Sequence, residues 1–187
     1  KLFDDKEELL FRSFAFELFR PLTRKQFVPR GQTALLDAIG NTLTYFMQKK
    51  LFDNNSYNNC LIYITTDGYE NCSKVYTYHK IRKMIMEAEK FNIKVIYLAA
   101  NQDAILEASK IGIDPGSALN YSENTENVES AYRSVASVAK RVRSGIDSNF
   151  TNTERSASQN NDAIQNYYPP PLRRQTTTAK QTLKLDK

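Results

Sequence analysis

The stretch "CLIYITTDGYEN", residues 60–71, decides the fold. Leu61 to Thr65 is a short, unbroken apolar and β-branched run, the pattern of a strand covered on both faces, as in a parallel sheet. It climbs to Thr66 and stops on a carboxylate, Asp67, with Gly68 next. In an open parallel sheet, ligands lie beyond the carboxyl ends of the strands, which is where Asp67 falls. A carboxylate desolvated on one side calls for a cation, and Gly68 allows a sharp exit from the strand without a Cβ clash.

Working outward, helices and strands alternate. "KLFDDKEELLFRSF", residues 1–14, reads as strand, turn and strand, with Asp4-Asp5-Lys6 as the turn. "PLTRKQFVPRGQ" is a loop punctuated by Pro21, Pro29 and Gly31. From Thr33, Leu35, Leu36, Ile39, Leu43, Phe46 and Met47 recur at three- and four-residue steps, predicting a helix that ends near Leu51. "TYHKIRKMIMEAEKFN" is helical and "IKVIYLAA", residues 93–100, is a second buried strand. "NQDAILEASKIG" is a short helix closed by Gly112, and "SALNYS" a last short strand. The final helix puts Val128, Ala131, Tyr132, Val135, Val138 and Ala139 on one face, with Asn124 as its N-cap and Gly145 as its stop. The order β-β-α-β-α-β-α-β-α predicts an α/β domain over residues 1–145: a doubly wound, mostly parallel sheet with helices on both faces. Residues 146–187 are dominated by Ser, Thr, Asn and Gln around Pro169-Pro170-Pro171. They are expected to form an irregular tail that orders only on a partner.

Composition narrows the function. A 187-residue chain with 41% hydrophobic and 25% charged residues suits one soluble domain plus appendages. The net charge of +5 is mild and no dense Lys/Arg block stands out, so nucleic acid is not expected as a partner. No run reaches the roughly 20 apolar residues of a membrane span. Cys60 and Cys72 flank an extended run too long for them to bridge, so both are expected as free thiols. Free thiols suit a reducing, intracellular or cytoplasmic setting, or a virion if the source is viral. There is no Gly-x-Gly-x-x-Gly, phosphate loop, nucleophile elbow or zinc spacing. The only histidine, His79, has no Cys or acid at a catalytic spacing, so no enzyme is expected.

Thr33, in "PRGQTALLDAIG", sits on a Gly-containing loop just before a helix. Its hydroxyl and the Asp67 carboxylate, with water, suit a hard ion such as Mg²⁺. Each also has a purely local reading: an N-cap threonine before "ALLDAIG", and a turn or N-cap aspartate. Gln32, Glu70 and Asn71 are expected to form a partner-binding rim.

"GQTALLDAIGNTL" followed by "LIYITTDGYENCS" resembles the second and third motifs of the von Willebrand factor A domain. "YLAANQDAILEASKIGI" and "NVESAYRSVASVAKRVRSG" extend the likeness to small intracellular members from bacteria, phages and large DNA viruses, over about residues 2–145. The resemblance implies a metal-ion-dependent adhesion site at the sheet's upper edge, built from an Asp-x-Ser-x-Ser loop, a Thr and an Asp. Thr33 and Asp67 would be the last two. The ion would be Mg²⁺, or Mn²⁺ or Ca²⁺, and a protein partner would supply a carboxylate. No Asp-x-Ser-x-Ser occurs in the chain. In the family it follows a central first strand, and the chain opens on Lys1 with Leu2-Phe3 reading as a strand already under way. The expectation is therefore a non-enzymatic interaction module whose first strand and helix lie upstream or come from another chain. The alternative is a structural component of a larger assembly such as a virus particle, its tail docking on neighbouring subunits and its metal site vestigial.

Overall fold

The computed structural model describes residues 1–11, 21–28, 30–55, 57–100, 103–147 and 149–159. The predicted strand content at Phe14 and the triple-proline segment lie outside them.

Strands β1 (Leu2–Phe3) and β2 (Glu7–Glu8) form the expected antiparallel hairpin, pairing Leu2 with Glu8 and Phe3 with Glu7, but the apolar Leu9-Leu10-Phe11 stretch expected in its second strand lies outside it. Its turn is held by the Lys6 N–H on Asp4 Oδ1 at 2.8 Å. Arg30 anchors it further, donating to Asp4 Oδ2 at 2.6 Å and to Glu8. Burial alone would raise the Asp4 carboxyl; the Lys6 N–H and the Arg30 guanidinium hold it below the usual carboxylate range.

Helix α1 (Leu35–Phe52) buries Leu35, Leu36, Ile39 and Leu43 along one stripe. It leads to β3 (Cys60–Thr66), α2 (Tyr78–Ala88), β4 (Ile93–Ala100), α3 (Ala104–Lys110), β5 (Ala118–Tyr121) and α4 (Thr125–Arg143). The three longer-spaced strands make a parallel sheet in the order β3-β4-β5, with Cys60 opposite Ile93 and Tyr97 opposite Ala118. The fold is thus mixed α/β, a three-stranded parallel sheet flanked by helices. The hairpin forms a separate two-stranded piece.

Strand alternation sorts the core into two clusters. Val95, Tyr97 and Ala99 of β4 pack with residues of α1, α2 and α3, while Ile96 and Leu98 pack with Ala131, Val135 and Val138 of α4. Asn124 caps α4 as expected, its Oδ1 accepting the Asn127 N–H at 2.8 Å. The α4 stripe is rotated from the expected one. Tyr132 and Ala139 face outward, and Asn127, Ser130, Ser134 and Val142 are buried instead. Serine is small enough to enter such an interface, and the Ser134 hydroxyl is satisfied by donating to the Ser130 carbonyl at 2.9 Å.

β4 is buried along nearly its whole length, whereas β3 is not covered on both faces: Tyr63 is 51% exposed. The reason is position, because no strand among the described residues pairs with the outer edge of β3. The outer edge of β5 has a cover. Residues 149–159, expected as the start of the tail, lie against the domain. The Phe150 N–H donates to the Gly116 carbonyl, Arg155 to the carbonyls of Pro115, Gly116 and Ala118, and the Ser158 hydroxyl to that of Asn120. Within this strap, α5 (Asn152–Ala157) starts with a capping box between Thr151 and Glu154. Arg141 of α4 grips the Glu154 carboxylate at 2.8 and 3.0 Å. Packing therefore continues to Ser158, beyond the boundary expected at Gly145, because apolar Phe150 and the Arg141–Glu154 pair tie down an otherwise polar segment.

Among the described residues no helix is long and apolar enough to cross a membrane. Cys60 and Cys72 are both free.

Candidate functional site

Asp67 lies one residue past the end of β3, and Thr33 two residues before the start of α1. Their loops touch at Gly68. A Cβ built there would lie 2.6 Å from the Thr33 hydroxyl oxygen, closer than any side chain can approach. The two loops are also laced together. The Thr33 N–H donates to Asn71 Oδ1 at 2.8 Å, and the Asn71 N–H returns to the Thr33 carbonyl at 3.1 Å.

The local readings of Thr33 and Asp67 can be checked against their hydrogen bonds. The N-cap of α1 is Ala34, without a side-chain cap. A carboxylate from the neighbouring loop serves in place of the Thr33 hydroxyl: Glu70 Oε2 accepts the Leu36 N–H at 2.8 Å. At the end of β3, Thr66 closes the turn, its hydroxyl oxygen accepting the Gly68 N–H at 3.1 Å and donating to the Gly68 carbonyl at 3.0 Å. Helix α2 is capped by Thr77. The Thr33 hydroxyl and the exposed Asp67 carboxylate thus make no hydrogen bond or ion pair among the described residues.

The three expected rim residues divide. Gln32 is exposed. Asn71 is engaged with Thr33. Glu70 is turned inward and takes four donors: the N–H groups of Leu36, Cys72 and Ser73 and the Ser73 hydroxyl. Beside it, Asp37 accepts the N–H groups of Lys74, Val75 and Tyr76 at 2.8 to 2.9 Å. Burial would raise the Asp37 carboxyl, yet these three donors hold it below its ordinary value. The Asp37 N–H in turn meets the Ser73 hydroxyl at 3.0 Å. Glu70, Ser73 and Asp37 form a clamp that hangs the loop after Asp67 from the first turn of α1, where the helix dipole favours negative charge. The sequence signal for the clamp was two acids and a serine around a helix start. Nothing in their spacing shows that the partners lie 34 to 39 residues apart.

Further along the same edge, Tyr121 at the end of β5 has its hydroxyl 3.4 Å from that of Thr65. Burial raises its phenol first, and the charges of Asp67 and Glu123 add to the rise. The N-terminus of α3 is fixed to this edge by Asp103, which caps Ile105 and Leu106, and by Asn120 Oδ1, which accepts the Ala104 N–H at 2.7 Å.

The Thr33 hydroxyl and the Asp67 carboxylate are one neutral and one anionic oxygen without a partner among the described residues, the donor types a hard divalent ion takes, on loops that the Thr33–Asn71 bonds hold together. Such an ion takes six or more oxygens, so water and further donors would supply the rest. Among the described residues no group of three or more His, Cys, Asp or Glu converges on one point. No family model matches the chain, and no curated protein matches it.

Proposed function

We propose that the chain is a von Willebrand factor A-type interaction module. It would bind a protein partner through a divalent ion, Mg²⁺ or its substitutes Mn²⁺ and Ca²⁺, held at the C-terminal edge of the sheet. The reading rests on one observation: two oxygens without partners among the described residues, of Thr33 and Asp67, sit on loops that meet at a glycine, while other residues carry out the capping and turn roles each could have filled. Asp67 would contribute the charge and Thr33 a neutral oxygen. The ion would offer an open position to a carboxylate of the partner. The sheet fits the rest of the resemblance at β3, whose outer edge pairs with no strand among the described residues. A strand added there, from the same protein or another chain, would end beside Asp67 and carry an Asp-x-Ser-x-Ser loop to the ion. The full arrangement would then be the doubly wound sheet of that family.

The test is a Mg²⁺ titration followed by amide NMR. Shifts confined to residues 31–35 and 66–71 support the reading. Shifts spread evenly over exposed acids, with none at Thr33 or Gly68, count against it.

A further inference from the structure

Residues 74–83, "KVYTYHKIRK", run from the clamped loop onto the outer face of α2 and contain no acid. Lys74, His79, Lys80, Arg82 and Lys83 are all exposed, and none forms an ion pair among the described residues. The carboxylates on the elements packed around this strip accept hydrogen bonds from backbone amides or pair with other side chains, and Asp37 keeps its charge beside Lys74. Asp37 is filled by three backbone N–H groups of the strip itself, and Glu70 by four donors of its own loop and α1. Asp103 caps α3, and Glu107 of α3 holds Lys110 at 2.6 Å. Glu87, one turn past Lys83 on α2, is the exposed acid at the end of the strip, and Glu89 pairs with Lys94 at 3.7 Å. Lys80, Arg82 and Lys83 on α2 therefore have no carboxylate at ion-pair distance among the described residues, while Lys74 lies beside the charged Asp37.

The strip is also rigid and partly apolar. Asp37 fixes its first three amides, and Arg82 donates to the Ser109 carbonyl at 2.7 Å. The Lys80 ammonium lies 4.3 Å from the centre of the Tyr76 ring. Exposed Tyr69, Val75 and Tyr78 flank it, the valine 64% open to solvent.

We infer that this strip is the partner-docking face and that its occupant is an acidic protein segment interleaved with apolar side chains. Charge complementarity names the acids, and the exposed Val75 and two tyrosines name the apolar component. A nucleic-acid backbone fits less well. Duplex binding of useful strength commonly neutralises about 6–10 phosphates, and the strip offers only Lys74, Lys80, Arg82 and Lys83 as permanent cations. The inference rests on the reading of the adjoining edge as an interaction site and adds the chemistry of the partner. The segment's leading carboxylate would face the Thr33–Asp67 site, and its later acids would follow α2.

The test is fluorescence anisotropy with three labelled probes: a short peptide alternating Glu with Leu and Tyr, its Lys counterpart, and a short oligo-dT. Each is titrated with the 187-residue protein in EDTA and again in Mg²⁺. The acidic peptide should bind in EDTA, weaken as salt rises, and lose at least about tenfold in affinity in Lys74→Glu/Lys80→Glu/Lys83→Glu, since three attractive contacts become repulsive. Should that triple variant not fold, Lys80→Gln/Lys83→Gln gives the same reading with a smaller loss. Strip-dependent binding with no Mg²⁺ effect would sink the metal reading and keep this one. A peptide bound only in Mg²⁺ and indifferent to the lysines would do the reverse. The inference is overturned if the acidic peptide binds no better than the Lys peptide, if the charge reversals change nothing, or if oligo-dT binds more tightly.

Discussion

Thr33 and Gly68 are in contact so close that the glycine has no room for a methyl group: the hydroxyl oxygen of Thr33 lies 2.6 Å from where a Gly68 Cβ would sit. Gly68→Ala must push the two loops apart and should cost about 1–3 kcal/mol, the usual range for overpacking. Thr33→Ala in the same background should recover part of that loss, because the clash is with the Thr33 side chain. Chemical denaturation of the two single variants and the double variant measures the coupling. Strict additivity would show that the loops do not meet there.

Gly40 makes a similar prediction, opposite to the ordinary effect of replacing a helix glycine. Replacing a glycine inside a helix by alanine ordinarily stabilises by roughly 0.5–1 kcal/mol. Here the added Cβ would lie 2.5 Å from the Tyr76 ring. That ring cannot swing away freely, since the Tyr76 N–H is held by Asp37 and its hydroxyl lies 3.3 Å from that of Thr44. Gly40→Ala should therefore destabilise by about 1–3 kcal/mol, read as a lower denaturation midpoint.

The strap should be acid-sensitive. Burial would raise the Glu154 carboxyl, but Arg141 and the Thr151 N–H hold it below its ordinary value. A carboxylate with a depressed folded-state pKa contributes stability that is complete above the unfolded pKa and is lost as pH falls through the folded one. Acidification below the ordinary glutamate range should thus release residues 149–159 before the sheet opens. Amide exchange at Phe150, bonded to Gly116, reports the release. Glu154→Gln should show faster exchange at neutral pH and a flatter acid response.

Amide exchange should also rank the strands. Among the described residues β4 is paired on both sides and β3 on one, so β4 amides should exchange far more slowly than the outward-facing amides of β3. A strand or partner that completes the sheet would slow β3 selectively. Cys60, which opens β3, should remain a poor nucleophile in either state, because burial pushes its thiol up to about 11. Alkylation at neutral pH should be slow.

The order of elements was legible in the sequence because each long segment carries a clear period. The run 60–66 and the block 93–100 match the observed strands and α1 lies within two residues of its expected bounds, whereas α2 ends four residues short of the expected end and α3 begins three residues after the expected start. What could not be read was pairing between distant segments. The α4 stripe was misjudged because serines and an asparagine took buried positions that apolar periodicity assigns to Tyr132 and Ala139. The strap was missed because its hold on the domain comes from Arg141–Glu154 and from Arg155 on carbonyls 37 to 40 residues away, not from its own composition. At the candidate site, Thr33 and Asp67 were found by their places before a helix and after a strand. The inward turn of Glu70 was not, since a carboxylate one turn from a helix start in space looks like any loop acid in sequence.

The central claim, that Thr33 and Asp67 are two oxygens of one ion site, is tested most directly by Mn²⁺ binding. Free and bound Mn²⁺ would be followed by electron paramagnetic resonance on the wild type, Thr33→Ala and Asp67→Ala. Saturable binding that Asp67→Ala abolishes and Thr33→Ala weakens is the predicted result. Identical titrations for the three proteins, or a wild type that leaves all Mn²⁺ free, would contradict it.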